Sequence, residues 1–328
     1  MFKYYLVASS ALVCSLLLMV VLRRLAFRTR VLVSGEIALV GGIGIGGALV
    51  VSSVLGVIGF GIDPGRIMSV LGISLAMLAF GVMDDLKEAS VVQKLLLQSV
   101  CAVVLILIDV RTHMIYLNDW GNALVTFLWI IGITNAFNLL DVIDGLSAGV
   151  ALTVTGAIFA LTFFYPDVNA RILALGLFAV ITGFGFFNFP PARIYLGNAG
   201  SHFLGFVLAA LALMVSYARR GEPVALLSPI LLFWVPLLET AVLIYFRCSK
   251  RILPFNKSDD HMALRLVALG LTRKSALLVL LGLSLFAAVC GIILSQCDDW
   301  AGGLLILAVL LTSYIFFRVL MKAERNDR

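Results

Sequence analysis

Two asparagines and two aspartates recur at steps of three residues in N-A-F-N-L-L-D-V-I-D-G-L: Asn135, Asn138, Asp141 and Asp144. Amide and carboxylate oxygens without sulfur form a donor set suited to a hard divalent cation or a polar substrate. The run follows directly on a long apolar stretch, where an aspartate costs roughly 2.5–3.5 kcal/mol to insert at mid-membrane depth. On a helix, steps of three drift by about 60° each, so the four groups spread over half the cylinder near its polar end. Groups so placed serve a bound ligand or pair with neighbouring helices. Three other segments carry unusual polar residues: G-V-M-D-D-L-K-E-A-S-V-V-Q-K with Asp84, Asp85 and Lys94, N-F-P-P-A-R-I-Y-L-G-N-A-G-S-H with Asn198, and P-F-N-K-S-D-D-H-M-A-L-R-L with His261 and Arg265. Taken singly, an acid pair at a helix end reads as solvated, and a lone histidine such as His261 as a surface residue.

The elements that must position these groups are membrane helices. The chain has 328 residues, of which 62% are hydrophobic and 13% charged, with a mean hydropathy of +1.11. That composition excludes a soluble domain and predicts an all-α polytopic membrane protein, read as a single integral-membrane domain over residues 1–328. Eleven apolar windows are expected to span: 4–22, 37–60, 66–83, 95–110, 121–140, 146–165, 172–189, 200–217, 224–246, 275–295 and 300–320. The first lacks a basic n-region and a small-residue cleavage site, and is read as a retained span. Placing the N-terminus outside puts 18 of the 24 Lys and Arg in one set of loops. The positive-inside rule then gives N-out, C-in. All four polar segments fall in the basic set, with cytoplasmic loops expected at about 84–94, 141–145, 190–199 and 247–274. The net charge of +6 follows from this topology and from nearby anionic phosphate, and gives no support for nucleic-acid binding.

Two apparent signals drop out. Cys14, Cys101, Cys248, Cys290 and Cys297 are scattered, so neither a zinc site nor a disulfide framework is implied. Gly42, Gly44 and Gly47 satisfy G-x-G-x-x-G, but inside an apolar helix with no preceding strand they fit close helix packing or close substrate approach better than a dinucleotide turn.

Taken together and in order from about residue 36 to 275, these motifs resemble the polyprenyl-phosphate N-acetylhexosamine-1-phosphate transferases. The resemblance rests on G-G-I-G-I at 41–45, D-D at 84–85 with K-L-L-L-Q at 94–98, N-A-F-N-L-L-D-V-I-D-G-L-S-A-G at 135–149, N-F-P-P-A-R-I-Y-L-G-N-A-G-S at 188–201, P-L-L-E-T at 236–240 and P-F-N-K-S-D-D-H-M-A-L-R-L at 254–266. It implies transfer of a sugar-1-phosphate from a UDP-sugar to undecaprenyl or polyprenyl phosphate at the cytoplasmic face of a bacterial inner membrane, with release of UMP. It also implies a magnesium cofactor, with manganese as a substitute, and a role in starting cell-surface polysaccharide synthesis. Oligomeric state stays open, a homodimer included. Asp84, Asp85, Asp141 and Asp144 take the catalytic positions, and Asp85, Asp141 and Asn198 those of the metal. Lys94, Asn135, Asn138, His261 and Arg265 take those of the substrates.

The chain departs from the family pattern at several positions. Asn198 stands where G-D-A-G-S is usual, Val142 where glycine is common, and Glu239 where an aspartate is common; the histidine cluster is reduced to His261. These departures keep a second reading in view, a weakly active or silent homologue that binds polyprenyl phosphate. A secondary transporter, the third reading, would place its polar site at mid-membrane in repeated halves. The polar groups here gather on one side.

Overall fold

The computed structural model describes residues 2–217, 222–253, 256 and 258–326, with side chains through 323. Arg219 and Arg220, counted above for topology, and Pro254, Phe255 and Lys257 of the last motif lie outside the described residues. The chain divides into two compact units, Met1–Ser216 and Tyr217–Arg328.

The N-terminal unit holds eight helices: α1 (Phe2–Thr29), α2 (Gly41–Phe60), α3 (Gly65–Leu86), α4 (Val91–Leu107), α5 (Asp119–Leu140), α6 (Leu146–Phe164), α7 (Val168–Asn188) and α8 (Gly197–Leu213). Their starts follow local chemistry. Ser90 and Gln93 form a reciprocal capping box before α4, and Asn118 and Asp167 cap α5 and α7 through their side chains. A two-stranded hairpin, β1 (Val33–Ser34) and β2 (Ile37–Ala38), pairs Val33 with Ala38 and Ser34 with Ile37. Helix was expected from residue 37. Instead the chain turns at Gly35, in the left-handed region (φ 59°), and α2 starts at Gly41.

At the centre lies α8. Every residue from Ala199 to Ala212 is buried, as expected for a helix apolar on all sides. It packs against α2, α3 and α5, with α6 and α7 completing the sheath. The tight approach depends on missing side chains: a Cβ on Gly42 would lie 2.3 Å from the backbone N of Gly200, and one on Gly81 2.4 Å from Cα of Ala199. Gly42, part of the discarded G-x-G-x-x-G, therefore serves packing. The segment leading into α8 is stitched to β2 and the start of α2 by hydrogen bonds from Tyr195 N to Ala38 O (2.9 Å), Gly41 N to Tyr195 O (3.1 Å) and Gly42 N to Leu196 O (3.1 Å).

The C-terminal unit holds a 3-10 turn (Pro223–Leu227), α9 (Ser228–Leu232), α10 (Trp234–Ser249), α11 (Met262–Ala268), α12 (Arg273–Leu294) and α13 (Asp299–Asn326). Its core joins Leu231, Ala287, Cys290, Leu294 and Val309. The window at 224–246 is not one straight helix. It bends by 74° between Leu232 and Trp234, where Pro229 opens α9 and Pro236 sits in the first turn of α10, each lacking an N–H for a continuous ladder.

Each expected window overlaps helix, with shifted ends. Among the described residues, eight helices are long and apolar enough to cross a membrane, or nine with the bent pair; α4 and α8, of 17 residues each, are shorter. The protein is thus an all-α, multi-pass membrane protein.

Candidate active site

The polar segments of the N-terminal unit meet at one end of its bundle, where α3, α5 and α7 finish and α4, α6 and α8 begin. The helical spacing read for 135–144 holds only for its first half. α5 ends at Leu140, so Asn135 and Asn138 are helical while Asp141 and Asp144 lie in the turn leading to Gly145, the left-handed residue (φ 78°) that starts α6.

Asp85 sits on the last turn of α3 and accepts hydrogen bonds from the backbone N–H of Asn198 (2.8 Å) and Ala199 (3.0 Å). The amide of Asn198 hydrogen-bonds the same carboxylate. A negative group on the unsatisfied N–H groups at a helix start is favourable for charge and for hydrogen bonding. Gly197 (φ 72°) makes the entry possible: a Cβ there would lie 2.7 Å from Asp85 Oδ2.

Asp84, one residue earlier, is 3% exposed. Its carboxylate pairs with Lys94 Nζ at 2.6 Å and accepts from Ala89 N at 2.7 Å, tying α3 to the start of α4. Asp144 accepts from Ala192 N (3.0 Å). Asn188 donates to Ile194 O and accepts from Gly145 N, both at 3.0 Å, so the loop after α7 is fastened to the turn before α6.

Asp141 caps the end of α5 with a side chain that reaches solvent. Protein crowds its remaining sides. That desolvation, with the negative charges of Asp85 and Asp144 added, pushes its carboxyl up to about 7. A cation beside Asp141 would offset these like charges.

The expected amides divide between two partnerships. Asn138 accepts from Ser201 Oγ on α8 (2.9 Å). Asn135 forms a reciprocal pair with Gln98 of α4: Asn135 Nδ2 donates to Gln98 Oε1 at 2.7 Å, and Gln98 Nε2 donates back at 3.3 Å. His202 is fully buried on α8, electrostatically coupled to Asp84 and Lys94, and neither ring nitrogen hydrogen-bonds within the described residues. Gln98, Asn188, Ser201 and His202 were not anticipated as site residues. The available signal was a polar side chain inside an apolar helix.

The remaining two expected residues belong to the C-terminal unit. His261 Nδ1 lies 2.7 Å from Glu239 Oε1, and Glu239 Oε2 accepts from Met262 N (3.1 Å). Arg265 is 5% exposed, donates to Asp260 Oδ1 at 2.7 Å and stacks on Phe246, 3.2 Å from the ring centre. The same Asp260 oxygen accepts from Lys250 at 2.6 Å. Burial acts to raise the Asp260 carboxyl, but these two hydrogen bonds hold it below the ordinary carboxylate range.

No group of three or more His, Cys, Asp or Glu is gathered tightly enough among the described residues to hold a metal unaided. Magnesium needs no such cage. It keeps several waters and takes one or two carboxylates plus substrate phosphates, so the oxygen-only set of Asp85, Asp141 and Asp144 fits it.

Residues 67–216 match the Glycosyl transferase family 4 model. The probable undecaprenyl-phosphate N-acetylglucosaminyl 1-phosphate transferase of Bacillus subtilis (strain 168) is 28% identical over 285 residues, covering 83% of this chain and 78% of that protein. The phospho-N-acetylmuramoyl-pentapeptide-transferase of Lactiplantibacillus plantarum is 30% identical over 188 residues, 53% of this chain and 56% of that one. The enzyme of the same name from Limosilactobacillus fermentum is 37% identical over 103 residues, with 31% and 32% covered. The chain thus spans most of the Bacillus relative but a third to about half of the pentapeptide transferases. The matched stretch carries Asp84, Asp85, Lys94, Asn135, Asn138, Asp141, Asp144 and Asn198, and over it this chain is similar to glycosyl transferase family 4.

Proposed function

We propose that this protein transfers an N-acetylhexosamine-1-phosphate from a UDP-sugar to undecaprenyl or another polyprenyl phosphate, releasing UMP. The observation that carries the reading is Asp85 held by the N–H groups at the start of α8, one residue from the buried Asp84–Lys94 pair and near enough to Asp141 for its charge to be felt there. Two phosphate-bearing substrates repel each other, and a site for them needs opposing charge held in place. An oxygen of the lipid phosphate attacks the sugar-linked phosphorus; the bond from that phosphorus to the bridging oxygen breaks, and UMP leaves with that oxygen. Bound magnesium would supply charge neutralisation of the two phosphates, held by Asp141 and Asp144 with Asp85 beside them.

The chain's own residues do the remaining work. Lys94 offers a positive charge fixed by Asp84, and Asp84 is the carboxylate nearest that charge for accepting a proton from the lipid phosphate. Asn138, oriented by Ser201, lines the nucleotide region. Asn135 acts one step back, through its pairing with Gln98. In the C-terminal unit, His261 and Arg265 are the substrate-binding candidates, with Arg265 held by Asp260.

The topology that suits this chemistry has eleven spans, with N-out, C-in orientation and the polar end of the bundle at the cytoplasmic face of the bacterial inner membrane. There the UDP-sugar is available and the lipid phosphate arrives from the bilayer. The test is UMP release by purified protein in detergent with magnesium, polyprenyl phosphate and a panel of UDP-N-acetylhexosamines. Release with one of them is expected. No release with any, where a related transferase works in the same mixture, removes the enzyme reading and leaves the lipid-binding homologue.

A further inference from the structure

Where α7 ends and α6 begins, the N-terminal unit carries an open groove of about 650 Å³, lined by Leu152 of α6, Thr182, Gly185 and Phe186 of α7, and Pro191 and Arg193 of the loop that follows. The stretches from Thr182 to Asn188 and from Leu146 to Leu152 each cover about 9 Å of helix axis at 1.5 Å per residue. The groove therefore runs inward from the polar end of the bundle by that depth. Its deep part is apolar: Thr182 turns its hydroxyl back onto Phe178 O at 2.8 Å, and Gly185 adds no side chain. Phe186 and Phe189 stay 64% and 45% exposed along it.

Arg193 stands exposed at the rim, with Nη2 3.5 Å from Phe186 O. A guanidinium has five N–H donors, and this one forms no ion pair among the described residues. The backbone beneath it is fixed. Arg193 N and Ile194 N both donate to Phe187 O, at 2.7 and 3.1 Å, and Ala192 N donates to Asp144 at 3.0 Å.

Apolar side chains facing lipid are ordinary on membrane helices and mark no site. A concave apolar track with an unpaired cation at its polar end is different, because it complements an amphiphile with an anionic head. Arginine suits phosphate through paired N–H donors, and basic pockets between membrane helices hold anionic lipid head groups. The track is built from α6, α7 and their loop, whereas Asp84, Lys94 and Asn198 stand on α3, α4 and α8. Its occupant is thus a bound phospholipid and not the polyprenyl substrate.

We propose that this groove binds one anionic glycerophospholipid, with the phosphate on Arg193 and an acyl chain between α6 and α7. The proposal is independent of the transferase reading.

The test is native mass spectrometry of the full chain in detergent, titrated with phosphatidylglycerol or with phosphatidylcholine of the same acyl chains. One phosphatidylglycerol per chain should be retained, more tightly than phosphatidylcholine. Arg193→Gln should weaken phosphatidylglycerol by roughly tenfold, as expected for a lost charged hydrogen bond, and remove the preference. Gly185→Leu fills the track. Nothing lies within 4 Å of the Cβ position there, so thermal unfolding should not move to lower temperature, while retention of phosphatidylglycerol falls. Phosphatidylglycerol with a photoreactive acyl chain should label residues 185–193 in the native protein and not in Gly185→Leu.

Equal retention of the two lipids overturns the proposal, as does unchanged phosphatidylglycerol binding in either variant, or labelling confined to other helices. Displacement by glycerol phosphate at the lipid's own concentration would mean a phosphate site with no use for the chain. Displacement by undecaprenyl phosphate at that concentration would assign the groove to the lipid substrate. Either result refutes a phospholipid site.

Discussion

Substituting Gly81 with alanine tests how the end of α3 sets the position of the site. The added Cβ would stand 2.4 Å from Ala199 Cα, 2.8 Å from Ala199 N and 2.9 Å from Asn198 O. Carbon atoms in contact settle at about 3.5–4.0 Å, so α3 and the start of α8 must separate by roughly 1 Å. All three neighbours are backbone, and no side chain can rotate away. Overpacking of this kind costs about 1–3 kcal/mol. The usual helix gain of alanine over glycine, roughly 0.5–1 kcal/mol, offsets part of it, for a net loss of about 1–2 kcal/mol. The displaced atoms include the Asn198 and Ala199 N–H groups that hold Asp85. A misplacement of about 1 Å at a reacting centre can lower turnover 10²-fold, and UMP release should fall by that order. Gly72 on the same helix is the control: nothing lies within 4 Å of its Cβ position, and Gly72→Ala should leave turnover unchanged and stability equal or higher. Thermal unfolding in detergent and UMP release read both effects. If Gly81→Ala behaves like Gly72→Ala in both assays, the close contact between α3 and α8 does not set the site.

Asp84→Asn strands Lys94 and should cost about 3–5 kcal/mol as a broken buried pair while abolishing turnover; Asp84→Asn with Lys94→Met should regain stability in thermal unfolding without regaining turnover, and recovery of activity would remove Asp84 from the chemistry. Asp141 titrates near 7 in the fold against 3.8 as its ordinary value, so the folded state holds the extra proton between those limits. Stability of metal-free protein should accordingly fall as pH rises from about 4 to 7, and Asp141→Asn should flatten that part of a fluorimetric unfolding profile; an unchanged profile would show that the carboxyl is not raised. Asn198→Asp puts a second carboxylate beside Asp85, so it should lower the unfolding temperature in chelator yet tighten magnesium binding by calorimetry; weaker magnesium binding would take residue 198 out of the metal's surroundings.

The helices were legible because hydropathy is a local property: each apolar window became helix, and the boundaries moved where backbone geometry intervened, at Gly35 and at the Pro229–Pro236 bend. The gathering of Asp84, Asp85, Asp144 and Asn198 at one end was also legible, since alternation of helix direction sends every second connection to the same side. Pairings across helices were not. That Asn135 meets Gln98, that Asn188 joins Gly145 to Ile194, and that Asp85 caps α8 depend on helix rotation and depth, which residue spacing leaves undetermined. The 135–144 spacing misled for a related reason, because a helical period applies only as far as the helix continues, and α5 stops at Leu140.

The complete enclosure of α8 has a consequence for how the protein meets its bilayer. Helices that touch lipid must match the hydrocarbon thickness or tilt, and mismatch carries a cost for each ångström. α8 is surrounded by protein from Ala199 to Ala212 and is released from that requirement. Its 17 residues give a rod of about 26 Å at 1.5 Å per residue, short of a typical hydrocarbon core of about 30 Å. Changes in acyl-chain length should therefore act on the outer helices and leave the register of α8, and of the carboxylates at its start, unaltered.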